Sequence, residues 1–171
     1  MKRSMNPIDL VEHNFDKWIF GGLVALSKSK GVCLTFVIMA CAIDYLTSFN
    51  VGGKTKNRDY INFLEEYDWF VKKYNPTDIY NSLRCGLVHN FTILEGKFTL
   101  THNHPELHLT IHKGQKVLNY EDFYCDLRRL KEEYFEKVKD PKSGKIANFM
   151  KRYERLGFLS TEEEMGRLID L

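Results

Sequence analysis

The stretch Val32-Cys33-Leu34-Thr35-Phe36-Val37-Ile38-Met39-Ala40-Cys41-Ala42-Ile43-Asp44-Tyr45-Leu46-Thr47-Ser48-Phe49 decides the fold, because it is apolar on nearly every side. A helix with one apolar stripe lies on a surface, whereas a helix apolar all round has to be covered on several sides. Its length also reaches that of a membrane span, roughly 17–25 residues. Asp44 near its end and the lack of a second such run favour the buried central helix of a bundle, with no membrane role. Val51-Gly52-Gly53 ends it.

On the N-terminal side, Asn6-Pro7 is a helix start: Asn caps free amides and Pro at the first position loses no bond. The helix should run to about Ser27, with Leu10, Val11, Asn14, Phe15, Trp18, Ile19, Leu23 and Leu26 as its inward stripe. On the C-terminal side, Lys54 to Asn57 is a polar connection to one aromatic helix from Tyr60 to Tyr74. Asn75-Pro76 stops that helix and caps a fourth, in which Ile79, Tyr80, Leu83, Leu87, Val88 and Phe91 recur at helical spacing.

Beyond it, Phe98 to Thr101 and Leu107 to Ile111 alternate with period two around Asn103, Pro105 and Glu106, which predicts a β-hairpin near 97–112. Tyr120 to Val138 returns to helix. Asp140 to Lys145 is rich in helix breakers, so 140–171 reads as a helical C-terminal extension with helices near 146–156 and after Ser160. Ser160 or Thr161 with Glu163 or Glu164 would form a capping box there. The predicted fold class is mainly α: a four- or five-helix bundle over 1–139 with a small hairpin insertion, followed by the extension.

A chain of 171 residues that is 43% apolar can bury a sufficient core without disulfides or metals. Its 25 basic and 23 acidic residues nearly cancel, so any RNA contact has to come from a local patch. Lys28-Ser29-Lys30, Lys54 to Arg58, Arg128-Arg129 and Lys151-Arg152 are basic but scattered and read mostly as solvated surface. Cys33, Cys41, Cys85 and Cys125 lack paired spacing, which argues for a reducing cytoplasm. The acidic residues after Met1-Lys2-Arg3 interrupt any secretion signal. His102, His104, His108 and His112 cluster around the hairpin, but strand parity divides them between two faces and favours a polar face over a metal site.

Arg84-Cys85-Gly86-Leu87-Val88-His89 places a guanidinium and an imidazole late in an apolar helix. Positions five apart lie roughly 140° apart around an α-helix, so the two need either a local unwinding or a second copy of the chain to meet; a homodimer is favoured. The pair suits RNA cleavage: His moves a proton near neutral pH, Arg grips phosphate in a two-pronged fashion, and no metal or cofactor is called for. Attack by the ribose 2′-hydroxyl would leave a 2′,3′-cyclic phosphate and spare DNA. Asp44 in so apolar a helix calls for a partner, for which Arg84 is a candidate, or else for solvent exposure near the helix end. Asn81 and Asn90 flank the motif and either support the site or cap helix ends.

The segment resembles the Arg-x4-His motif of the HEPN family of helical bundles, in its late position on a helix behind two hydrophobic helices and in the small and apolar residues between Arg and His. The resemblance implies metal-independent RNA cleavage by Arg84 and His89 at a homodimer interface. It also implies a toxin or antiviral defence setting, with an antitoxin or other protein partner. Active members commonly carry a polar Asn, Asp or His after the Arg; this chain has Cys85, a poorer hydrogen-bonding group. That departure keeps open a noncatalytic module that binds RNA, a nucleotide or a protein.

Overall fold

A computed structural model describes residues 5–28, 31–93 and 96–156 and is mainly helical with a small three-stranded sheet. The first arm comprises α1 (Pro7–Asn14), a π-helical segment Phe15–Phe20 and α2 (Gly21–Ser27). Asn6 caps it as expected, its Oδ1 accepting the Ile8 amide at 2.9 Å. Hydrogen bonding from i to i+5 admits an extra residue per turn. After Phe15 the next fully inward side chain is therefore Phe20, then Leu23, and Trp18, expected inside, is 48% exposed.

Helix α3 (Val32–Val51) is the centre, packed by α2, α4, α8, α9 and a second π-helical segment. Phe36, Met39, Ala40, Ile43, Leu46 and Phe49 are buried on one broad side of it, whereas Cys33, Leu34 and Cys41 are exposed on the other. It is long and apolar enough to cross a membrane, but 56% of its most apolar window is buried within the protein. Gly52 terminates it at φ 69°, where a Cβ would come within 3.0 Å of the Asn148 carbonyl oxygen.

The aromatic run expected as one helix is two: α4 (Asn57–Glu65) and α5 (Asp68–Lys73), broken at Tyr67 in an extended conformation. The break turns Phe70 inward and leaves Val71 44% exposed, so that Tyr67, Phe70 and Tyr74 all reach the core. Asn75 then accepts the Asp78 amide and opens α6 (Pro76–Asp78). This runs into the second π-helical segment, Ile79–Leu87, and α7 (Val88–Asn90). Phe91, expected on the inward stripe, instead takes a left-handed φ of 50° and is 68% exposed.

The sheet has strands β1 (Phe98–Thr101), β2 (Ile111–His112) and β3 (Gln115–Asn119) in the order β1-β3-β2. The expected pairing of 98–101 with 107–111 is corrected: β1 runs parallel to β3, and the tight hairpin joins β2 to β3. Pro105–Leu107 curls into a 3-10 turn and Leu109 takes φ 63°, which breaks the alternating run. Lys113 and Gly114 both have positive φ, the two-residue geometry that suits an antiparallel hairpin. Helix α8 (Tyr120–Lys139) follows with Phe123, Leu127, Leu130, Tyr134, Phe135 and Val138 buried.

Gly144, at φ 69°, leads into α9 (Ile146–Tyr153). Although 140–171 was expected as an extension, Phe149 is fully buried, with ring centroids 4.7 Å from Phe49 and 6.3 Å from Phe135. Residues of α9 thus belong to the same core as α3 and α8. The helix expected after Ser160 and its capping box lie outside the described residues.

Candidate active site

Arg84 lies within the second π-helical segment and His89 on α7, just beyond it. Because i to i+5 bonding brings residues five apart to about one turn, the segment carries both side chains to one face. Arg84 Nη1 stands 2.8 Å from His89 Nε2. The meeting that an α-helix would have required a second chain to arrange is made within one.

A guanidinium only donates hydrogen bonds, so in this pair Arg84 Nη1 donates and His89 Nε2 accepts. Arg84 also donates through Nη2 and Nε to Asp44 Oδ2, at 2.8 and 3.3 Å. Asp44 comes from α3, so the central helix and the motif helix are tied at the site itself. Burial pulls the Arg84 pKa down, but the bonds to Asp44 and its charge outweigh this and raise it above the ordinary value. Asp44 Oδ1 is buried and has no hydrogen-bond partner among the described residues.

Tyr80, one π turn before Cys85, flanks Arg84, whose guanidinium carbon lies 5.9 Å from the centre of its ring. Its hydroxyl donates to Asn57 Oδ1. Burial pushes the Tyr80 phenol up to about 12, helped by a hydrogen bond with Cys85. The Cys85 thiol is thus engaged with Tyr80, whose ring also lies beside Arg84. Asn81 is half-buried and Asn90 exposed, and neither enters the bonds that join Arg84, Asp44 and His89.

Next to the pair, Cys41, Asp44, Tyr45, Ser48, Lys54, Thr55 and Arg152 line an open groove of about 430 Å³. Asp44 is common to groove and pair. Burial first, then the Asp44 charge, pushes the Cys41 thiol up, against the pull of Arg84. Lys54, Thr55, Ser48 and Arg152 were not singled out as site residues from the sequence. For Lys54, Thr55 and Arg152 the signal was membership of basic stretches, whose convergence depends on the packing of α9 on α3; Ser48 lay unmarked in the apolar helix.

Three of the four clustered histidines take separate partners. His102 faces Glu121, His104 faces Glu106, and His108 lies 3.0 Å from the Tyr74 hydroxyl and accepts the Asn119 amide. Among the described residues no group of three or more His, Cys, Asp or Glu is arranged to hold a metal ion. No family model, curated protein or solved structure matches this chain.

Proposed function

We propose that the chain is a metal-independent endoribonuclease of the HEPN kind, acting on RNA at Arg84 and His89. The observation that carries this reading is the 2.8 Å approach of Arg84 Nη1 to Nε2 of the exposed His89. In the reaction, Nε2 takes the proton of a ribose 2′-hydroxyl as that oxygen attacks the adjacent phosphorus. Arg84 turns its donors to the phosphate oxygens, whose charge grows in the transition state. The P–O5′ bond breaks, leaving a 2′,3′-cyclic phosphate. The departing 5′-oxygen needs a proton, and the imidazolium formed when Nε2 took the first one returns it, which restores His89; a homodimer would bring two such pairs into one cleft. The setting would be cytoplasmic, in a toxin or defence system with an antitoxin or other protein partner.

The hold of Asp44 on Arg84 favours a second reading, a noncatalytic HEPN-like module, since two bonds keep the guanidinium from a phosphate. The test is incubation with labelled single-stranded RNA and its DNA counterpart in excess EDTA, beside Arg84→Ala and His89→Ala proteins of verified fold. RNA-only cleavage with cyclic-phosphate ends, lost in both variants, supports the ribonuclease. Absence of cleavage by the folded wild type refutes it and leaves the binding module.

A further inference from the structure

The near-neutral net charge means that affinity for a polyanion has to be assembled locally. Two basic stretches far apart in sequence meet at one place: Lys54, in the connection between α3 and α4, and Arg152, on α9, both line the groove beside the Arg84–His89 pair. Arg152 is aimed there by its Nε, which donates to Ser48 Oγ at 3.1 Å. Its terminal nitrogens make no hydrogen bond among the described residues, and Lys54 makes no ion pair among them. Ser48 and Thr55 add hydroxyls, and the only carboxylate in the lining, Asp44, is already neutralised by Arg84. The volume, about 430 Å³, falls within the range of small-ligand sites, on the order of 300–1,000 Å³, enough for one nucleotide unit.

We infer that this groove holds a backbone phosphate of single-stranded RNA next to the one being cleaved, with Lys54 and Arg152 as its cations. This inference rests on the ribonuclease reading. A strand is favoured over a free nucleotide because Asp44 is shared by the groove and the pair, so one ligand passes over both.

The experiment measures fluorescence anisotropy of a labelled single-stranded RNA with His89→Ala protein, which removes turnover, over a salt series. Lys54→Gln and Arg152→Gln are added to it singly, with circular dichroism and a thermal melt on each. Each should weaken binding several-fold and flatten the slope of log affinity against log salt by roughly 0.7, the share of one phosphate contact on a single strand. Lys54→Gln keeps the result interpretable if loss of the Ser48 bond unsettles α9. Unchanged affinity and slope in the folded variants overturns the inference. So does adenosine monophosphate that binds as tightly as the strand and loses affinity in the same variants. Cleavage is read separately: groove-dependent binding without wild-type cleavage refutes the ribonuclease alone, and cleavage with groove-independent binding refutes the groove alone.

Discussion

Replacing Asp44 with Asn tests whether the bond between α3 and the motif helix is real and what it does. The two Arg84 bonds converge on the single oxygen Oδ2, at 2.8 and 3.3 Å, so their energies do not simply add. A hydrogen bond to a charged group contributes about 1.5–3 kcal/mol net, and a fully exposed ion pair about 0.2–1 kcal/mol. The two side chains are 24% and 25% exposed, between those limits, so we expect a coupling of about 1–2 kcal/mol. For a chain of this size that corresponds to a fall in Tm of roughly 2–8 °C.

Urea melts of wild type, Asp44→Asn, Arg84→Gln and the double variant form a cycle that isolates the pair from other effects of either change. Since a guanidinium keeps its charge at any accessible pH, one neutral buffer is enough. A coupling energy inside about 0.5 kcal/mol, the level at which independent sites add, would refute the pairing. On the ribonuclease reading, cleavage separates two roles open to Asp44. If it positions the arginine, Asp44→Asn lowers cleavage while RNA affinity holds. If it restrains the arginine from substrate, the same variant cleaves faster.

Burial lowers the pKa of His108, so its folded value lies below the ordinary 6.5. The unfolded chain then binds the proton first; stability is full above about pH 6.5 and falls with acid toward the folded pKa. The stability difference between pH 7.5 and pH 5.5 should therefore shrink in His108→Gln, and an unchanged difference would dismiss the network with Tyr74 and Asn119 as its source. Phe149→Ala should cost about 3–5 kcal/mol in a denaturant melt, the usual loss for a buried Phe. A loss under 1 kcal/mol would return α9 to the status of an appended tail. Trp18→Ala, by contrast, should change stability by less than about 0.5 kcal/mol, since it lies on the outer side of the first π-helical segment.

Features that depend on one residue and its neighbours were legible in the sequence. Asn6-Pro7 and Asn75-Pro76 cap the helices they were read to cap, and a carboxylate in an apolar helix pointed to its counter-ion, because burying Asp44 alone is costly. What failed depends on partners distant in the chain. Residues 107–111 have a strand's alternation, yet their neighbour in space is β3, and Val117-Leu118 is too short a run between a turn and a helix to read as a strand. Phe149 gave no sign of burial because its cover comes from Phe49 and Phe135.

The Arg84–His89 spacing was hidden for a different reason. Ile79, Leu83 and Leu87, four apart, satisfy an α-helical stripe as well as a π-helical one, so the apolar pattern carries no mark of the wider turn. Only the polar residues register the difference: Tyr80 with Cys85, and Arg84 with His89, are both five apart and both in contact. A π-helical turn is rare and is found disproportionately at functional sites. Here it brings a donor and a proton acceptor to one face without disturbing the buried stripe that anchors them. Shortening this helix by one residue before Arg84 would relax the turn to α geometry and swing His89 roughly 140° away from the arginine. On the ribonuclease reading cleavage would then vanish although both side chains remain, so that the wider turn is itself part of the catalytic arrangement.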